Sequence, residues 1–252
     1  MNFLDNKKIL FYGPANKFDS DTDLSFFNNY DIVFINNKFI ELLQPNLSKI
    51  LVKKFHLILL LNGIFTNGNP ETIKKWKDTI SLFFVSENCL AKNLVDIGIP
   101  LNKIVSMANN YRKFNFQGCP NMFPKLIMLF IDHNVKYSLL KVTGITFYMD
   151  LLKNDFNKEE VYHPNYHNWD TKIPKELSNM TEDEKLNYHL NKIKNLGTEK
   201  TNKIVTNHFI EENYNFFIKY CNDSKLNNLK IEFDEKLESI IKDNTNPGIQ
   251  KH

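Results

Sequence analysis

The sequence predicts an α/β fold: a Rossmann-like, mainly parallel sheet flanked by helices, with a small lid subdomain. Two observations carry this. Short apolar runs alternate with helix-like segments as far as residue 105, the order from which strand–helix–strand crossovers build a parallel sheet. Each run is also nearly unbroken in apolar residues, as strands covered on both faces require.

The elements follow in order. "ILFY" (9–12), "DIVFI" (31–35), "FHLILLL" (55–61) and "SLFFV" (81–85) read as strands. Helices are predicted over Asp23–Asn29, Lys38–Val52, Pro70–Thr79 and Asn88–Asp96. "GIPLNKIV" turns the chain into a fifth short strand. "NMFPKLIMLFIDH" (121–133) is a buried helix, and "TGITFYMDLLKN" (143–154) a further helix with Thr143 as its cap. "EEVY" (159–162) is read as another strand. Composition then shifts to Pro, Asn, Asp and Lys, with "EDEKLNYHLNKIKNL" the periodic piece. A helix over 208–221, the strand "LKIEF" (229–233) and the helix "DEKLESIIK" close the chain. The expected organisation is a nucleotide-binding core over 1–162, a lid or inserted segment over 163–201, a helix–strand–helix completion over 202–242 and a flexible tail over 243–252.

Composition narrows the function classes. The 252 residues carry a net charge of +3, and Arg112 is the sole arginine among 32 basic residues. Base and phosphate readout leans on arginine forks, so no nucleic-acid partner is expected. The longest apolar runs are too short to cross a bilayer, and the opening "MNFLDNKKIL" has no apolar signal core. Cys89, Cys119 and Cys221 are too scattered for a zinc set or a disulfide framework. The expectation is a cytoplasmic protein without a transmembrane segment; self-association is left open.

Ligands of parallel sheets sit beyond the carboxyl ends of the strands. Gly13-Pro14 follows the first strand directly, and glycine there lets a ligand approach the backbone, with its amide offered to a phosphate or ribose. The competing reading is a plain tight turn. No G-x-G-x-x-G and no G-K-[ST] is present. Asn36-Asn37 and Asn62-Gly63 end the second and third strands, each offering a donor and an acceptor together. With 36 asparagines in the chain, each alone is weak; three strand ends of one sheet together are stronger.

"KKILFYGPANKF…DIVFINNKF…LILLLNGIF" resembles the opening of the bacterial sialyltransferases that use CMP-sialic acid, a metal-independent, GT-A-like family. Gly13-Pro14 resembles that family's first turn, Asn37 with Phe39 its second strand end, and Asn62 its third. "KVTGITFYMDLL" is similar to its Thr/Ser-Gly turn, and "NHFIEENYNFFIKYC…LKIEF" to its catalytic histidine, helix and strand. Ala15 replaces a family serine, Tyr12 a family glycine, and "EEVYHPNYHNWD" stands where the family has Gly-Ile-Asp-Phe-Tyr. As a divergent member, the chain is expected to transfer a sugar from a CMP-linked donor to a glycan acceptor hydroxyl with inversion. The resemblance implies His208 as general base, with Tyr162 and Tyr166 facing the leaving phosphate. It implies donor binding by Gly13, Pro14, Asn37, Asn62, Lys141, Thr143 and Gly144. No cofactor and no divalent metal are expected.

Alternatives stay open. Taken alone, His208 is a solvent-facing residue at a helix start, and His189 in the lid is a rival base. His163 and His167 lack a helix and a third metal partner. The alternating acids Asp19, Asp21 and Asp23 suit either a metal-held nucleoside diphosphate sugar or a solvated loop in which Asp23 caps a helix. A catalytically inactive nucleotide-sugar-fold binding protein is the third alternative.

Overall fold

The computed structural model describes residues 1–13, 23–36, 54–61, 70–86, 88–107, 111–114, 116, 120–145, 181, 184 and 210–245. Seven strands form one sheet: β1 Lys8–Tyr12, β2 Ile32–Asn36, β3 His56–Leu61, β4 Leu82–Val85, β5 Ile104–Ser106, β6 Leu139–Thr143 and β7 Ile231–Phe233. Their spatial order is β5-β4-β3-β2-β1-β6-β7, and every pairing is parallel. The helices are α1 Pro70–Trp76, α2 Asn88–Asp96, α3 Met122–Asp132, α4 Ile210–Leu226 and α5 Glu235–Thr245. This is an α/β, Rossmann-like fold. No helix among the described residues is long and apolar enough to cross a membrane.

The strand runs are apolar throughout because both faces are covered. Ile9, Phe11, Ile32, Phe34, Ile58, Leu60, Leu140 and Val142 pack with Phe123, Ile127 and Phe130 of α3, Phe217 of α4, and Leu237 and Ile240 of α5. The alternate residues Leu10, Tyr12, Val33, Ile35, Leu57, Leu59 and Phe83 pack with Leu24, Phe27, Ile73 of α1, and Leu90 and Leu94 of α2. Period-two alternation thus sends β1 to β4 into two separate cores, whereas β6 and β7 contribute to the first alone.

Asparagine also shapes the helix ends. Gly98, Asn134 and Asn228 have φ values of 89°, 47° and 57° just past α2, α3 and α4. The following amides return to the helix, Ile99 to Leu94 O at 3.0 Å, Val135 to Phe130 O at 2.9 Å and Leu229 to Ser224 O at 2.9 Å. This left-handed stop suits glycine best and asparagine next.

Two sequence expectations change. Thr143 does not cap a helix; it ends β6, a strand the apolar-run reading passed over because Lys141 and Thr143 interrupt it. The helix expected over Asp23–Asn29 is a 3-10 turn, Ser25–Asn29. Its N-cap is Leu24, with no side-chain cap bond; Asp23 stands one residue earlier and accepts from the Ser25 amide and hydroxyl, each at 2.7 Å. Those two bonds hold its carboxyl below the usual range. The helix over 38–52, the strand over 159–162 and nearly all of 163–201 lie outside the described residues. Within the latter span, Thr181 and Glu184 bond reciprocally: the Thr181 amide donates to Glu184 Oε2 at 2.8 Å, and the Glu184 amide to Thr181 Oγ1 at 3.3 Å. That is the capping-box arrangement of a helix start.

Candidate functional site

From β1 the strand order runs outward to β5 on one side, then resumes on the other side with β6. The reversal lies between β1 and β6, and in open parallel sheets the ligand crevice forms beyond the carboxyl ends at such a point. Tyr12 pairs with Thr143 there, so the turns that follow, at Gly13 and Gly144, lie side by side.

The Gly13 amide donates to Thr143 O at 2.8 Å, which extends the β1–β6 ladder by one residue. The expectation that this amide meets a phosphate or ribose is therefore corrected: the sheet uses it. Glycine is required for a reason the sequence does not show. A Cβ at residue 13 would lie 2.3 Å from the Gly144 carbonyl oxygen and 2.9 Å from Ile145 Cγ1.

Gly144 has φ +65°, and its amide donates to Asp234 Oδ2 at 2.6 Å. Asp234 Oδ1 accepts the Leu237 amide at 2.8 Å, capping α5. The Lys141 ammonium donates to Phe233 O, just before Asp234. Lys141 and Gly144 are thereby tied to the β7–α5 junction, and among the described residues this bond takes one of the three Lys141 N–H donors. Asp234 was not singled out from sequence; an aspartate directly before the helical pattern "EKLESIIK" is the signal that marks it.

Tyr12, next to the Gly13 turn, is an aromatic anchor. It is 6% exposed, with ring centroids 5.8 Å from Phe26 and 5.1 Å from Phe27. Burial pushes its phenol up to about 12, so it is neutral at ordinary pH.

On the opposite face, α3 and α4 start at this same edge. The Asn121 amide, just before α3, donates to Asn213 Oδ1 in the first turn of α4 at 2.8 Å. Both helices then run to the amino edge: Lys136, after α3, bonds Asp5 ahead of β1, and Lys230, after α4, accepts from Leu140 in β6. Asn36, the last residue of β2, is at the carboxyl edge one strand from β1. Its Oδ1 is buried and meets no hydrogen-bond partner among the described residues.

Comparison with protein-family models, with curated proteins and with solved structures finds no match.

Of the residues singled out from sequence, the structure brings Gly13, Thr143 and Gly144 together, with Lys141 directed to β7. Pro14, Asn37, Asn62, Tyr162, Tyr166 and His208 lie outside the described residues, as do Asp19 and Asp21 of the alternating acids. In sequence His208 stands two positions before Ile210, the first residue of α4. A cavity of about 310 Å³, lined by Phe130, Val135, Tyr220, Ser224 and Leu229 among others, opens at the amino edge and so away from this crevice.

Proposed function

We propose that the chain is a glycosyltransferase of sialyltransferase type, moving a sugar from a CMP-linked donor to an acceptor hydroxyl with inversion. One observation supports this above the rest: strand order reverses between β1 and β6, and the paired turns at Gly13 and Gly144 floor that point. Gly13, Thr143 and Gly144 shape the crevice floor through their packing, with Pro14, Asn37 and Asn62 assigned to the donor by resemblance.

In this reading the acceptor O–H attacks the anomeric carbon as the bond from that carbon to the phosphate oxygen breaks. His208 takes the acceptor proton, and CMP leaves with the bonding pair on its phosphate. A base near neutral pKa suits the first task, and a site at a helix start favours the uncharged imidazole it needs. Tyr162, Tyr166 and the remaining N–H donors of Lys141 would meet the growing phosphate charge. The starts of α3 and α4 at this edge are compatible with His208 lying beside the crevice, given its place just before α4.

The test is His208→Ala. Transfer should fall to background while CMP affinity, read by titration calorimetry, stays within about twofold of the parent; unchanged turnover refutes the mechanism. A thermal-shift screen against CMP, UDP, GDP and dTDP with their sugars reads the base preference directly, because a ligand of the native form raises its melting temperature.

A further inference from the structure

The cavity at the amino edge is the strongest feature that the proposed function leaves unused. It holds about 310 Å³ between the ends of α3 and α4. That is at the small end of the range for ligand pockets, roughly 300–1,000 Å³. Its wall is apolar: Phe130 and Val135 from the α3 side and Tyr220 from α4 are buried, and Leu229, just past α4, is half-buried. The Tyr220 hydroxyl meets that of Tyr137 at 3.0 Å, which fixes the ring in the wall. Val135 and Leu229 follow the left-handed stops at Asn134 and Asn228, and their amides return to Phe130 O and Ser224 O. Backbone bonds and packing therefore shape the pocket before any ligand arrives, as small-molecule sites require.

The mouth carries charge of both signs, one from each side. Lys136, following α3, and Asp223, in the last turn of α4, line it and are exposed. Nearby charges are matched to each other, Asp132 with Lys113 and Glu232 with Lys230, and neither Lys136 nor Asp223 enters these pairs. Asn227 donates its side-chain amide to Asp223 O at 2.8 Å, so its Oδ1 remains an acceptor at the same helix end. We infer that this cavity binds a free α-amino acid with an apolar side chain. The side chain lies against Phe130, Val135, Tyr220 and Leu229. The ammonium meets Asp223 and Asn227 Oδ1, and the carboxylate meets Lys136. Both charges on one carbon answer both signs at the mouth, whereas a purely cationic or anionic ligand leaves one of them unmatched. The site is at the opposite sheet edge from the transfer crevice and does not depend on the nucleotide reading.

The experiment uses the full chain and titration calorimetry with L-phenylalanine and L-leucine. Phenethylamine and 3-phenylpropionate serve as the analogues that lack the carboxylate and the ammonium. Wild type should bind phenylalanine about tenfold more tightly than either analogue, the size of one charged hydrogen bond. Asp223→Asn should weaken phenylalanine about tenfold and leave 3-phenylpropionate unweakened. Lys136→Met should weaken phenylalanine to the same degree and leave phenethylamine unweakened. Both positions are exposed, and melting temperature verifies that each variant is folded. Wild type that shows no saturable binding of either amino acid up to about 10 mM overturns the inference without recourse to any variant. Equal affinity for phenylalanine and its two analogues overturns it too, as does phenylalanine affinity that both variants leave intact.

Discussion

Gly13 stands against Gly144 so closely that a single methyl group on its Cα would come within 2.3 Å of the Gly144 carbonyl oxygen. The obstacle is backbone in a neighbouring strand turn, so a side-chain rotation cannot relieve it. Gly13→Ala should therefore force β1 and β6 apart at the crevice floor. The expected loss is about 1–3 kcal/mol of unfolding free energy, the range for overpacked sites. Urea denaturation measures it; an unchanged midpoint would show that the two turns separate freely.

Asp234 serves two elements at once, with one oxygen on the Gly144 amide and the other on the Leu237 amide. Asp234→Ala removes a helix cap and a charge-assisted bond together. A loss of about 2–3 kcal/mol is expected, since each interaction contributes on the order of 1 kcal/mol. Asp234→Asn keeps one acceptor oxygen and should lose about half as much. Equal losses in the two variants would contradict the division of labour between the oxygens.

The protein should weaken in alkali. Burial raises the Cys221 thiol to about 12 and the Tyr12 phenol to about 12. Tyr137 and Tyr220, whose hydroxyls meet at 3.0 Å, are also raised, chiefly by burial. The unfolded chain releases these protons at roughly pH 8.5 for cysteine and 10 for tyrosine, whereas the folded chain still holds them. The unfolded state then binds fewer protons, so stability falls as pH rises. It is fully present below about pH 8.5 and declines toward pH 12. Urea midpoints from pH 7 to 11 test this, and Cys221→Ala should flatten the earliest part of the decline.

If the proposed transfer mechanism holds, activity should persist in excess EDTA, because Lys141, Tyr162 and Tyr166 carry the leaving-group charge in it. Assay of CMP release with and without chelator decides the matter. Loss of turnover that Mn²⁺ restores would move the assignment to a metal-held diphosphate donor at Asp19 and Asp21.

Sequence reading found most of the sheet because β1 to β4 are apolar on both faces and stand out as runs. β6 escaped it. Leu140 and Val142 are buried, but Lys141 and Thr143 between them are half-buried, so the strand alternates and does not register as a run. The site was legible as a set of strand ends, and Gly13 marked one. Why residue 13 must be glycine was not legible, because the cause is Gly144, far along the chain. Asn36 was legible, with Asn37, as a strand end; that its Oδ1 is buried and meets no partner among the described residues was not.

The pairing of β1 with β6 joins segments about 130 residues apart. At ribosomal speeds of about 5–20 residues per second, β6 follows β1 by roughly 7–26 s. β2 covers one flank of β1 early, but the other flank waits, its peptide groups open to strands of neighbouring nascent chains. The centre of the finished sheet is thus its most vulnerable edge during translation, and slower initiation or a nascent-chain chaperone should raise soluble yield more than any change at β5 or β7.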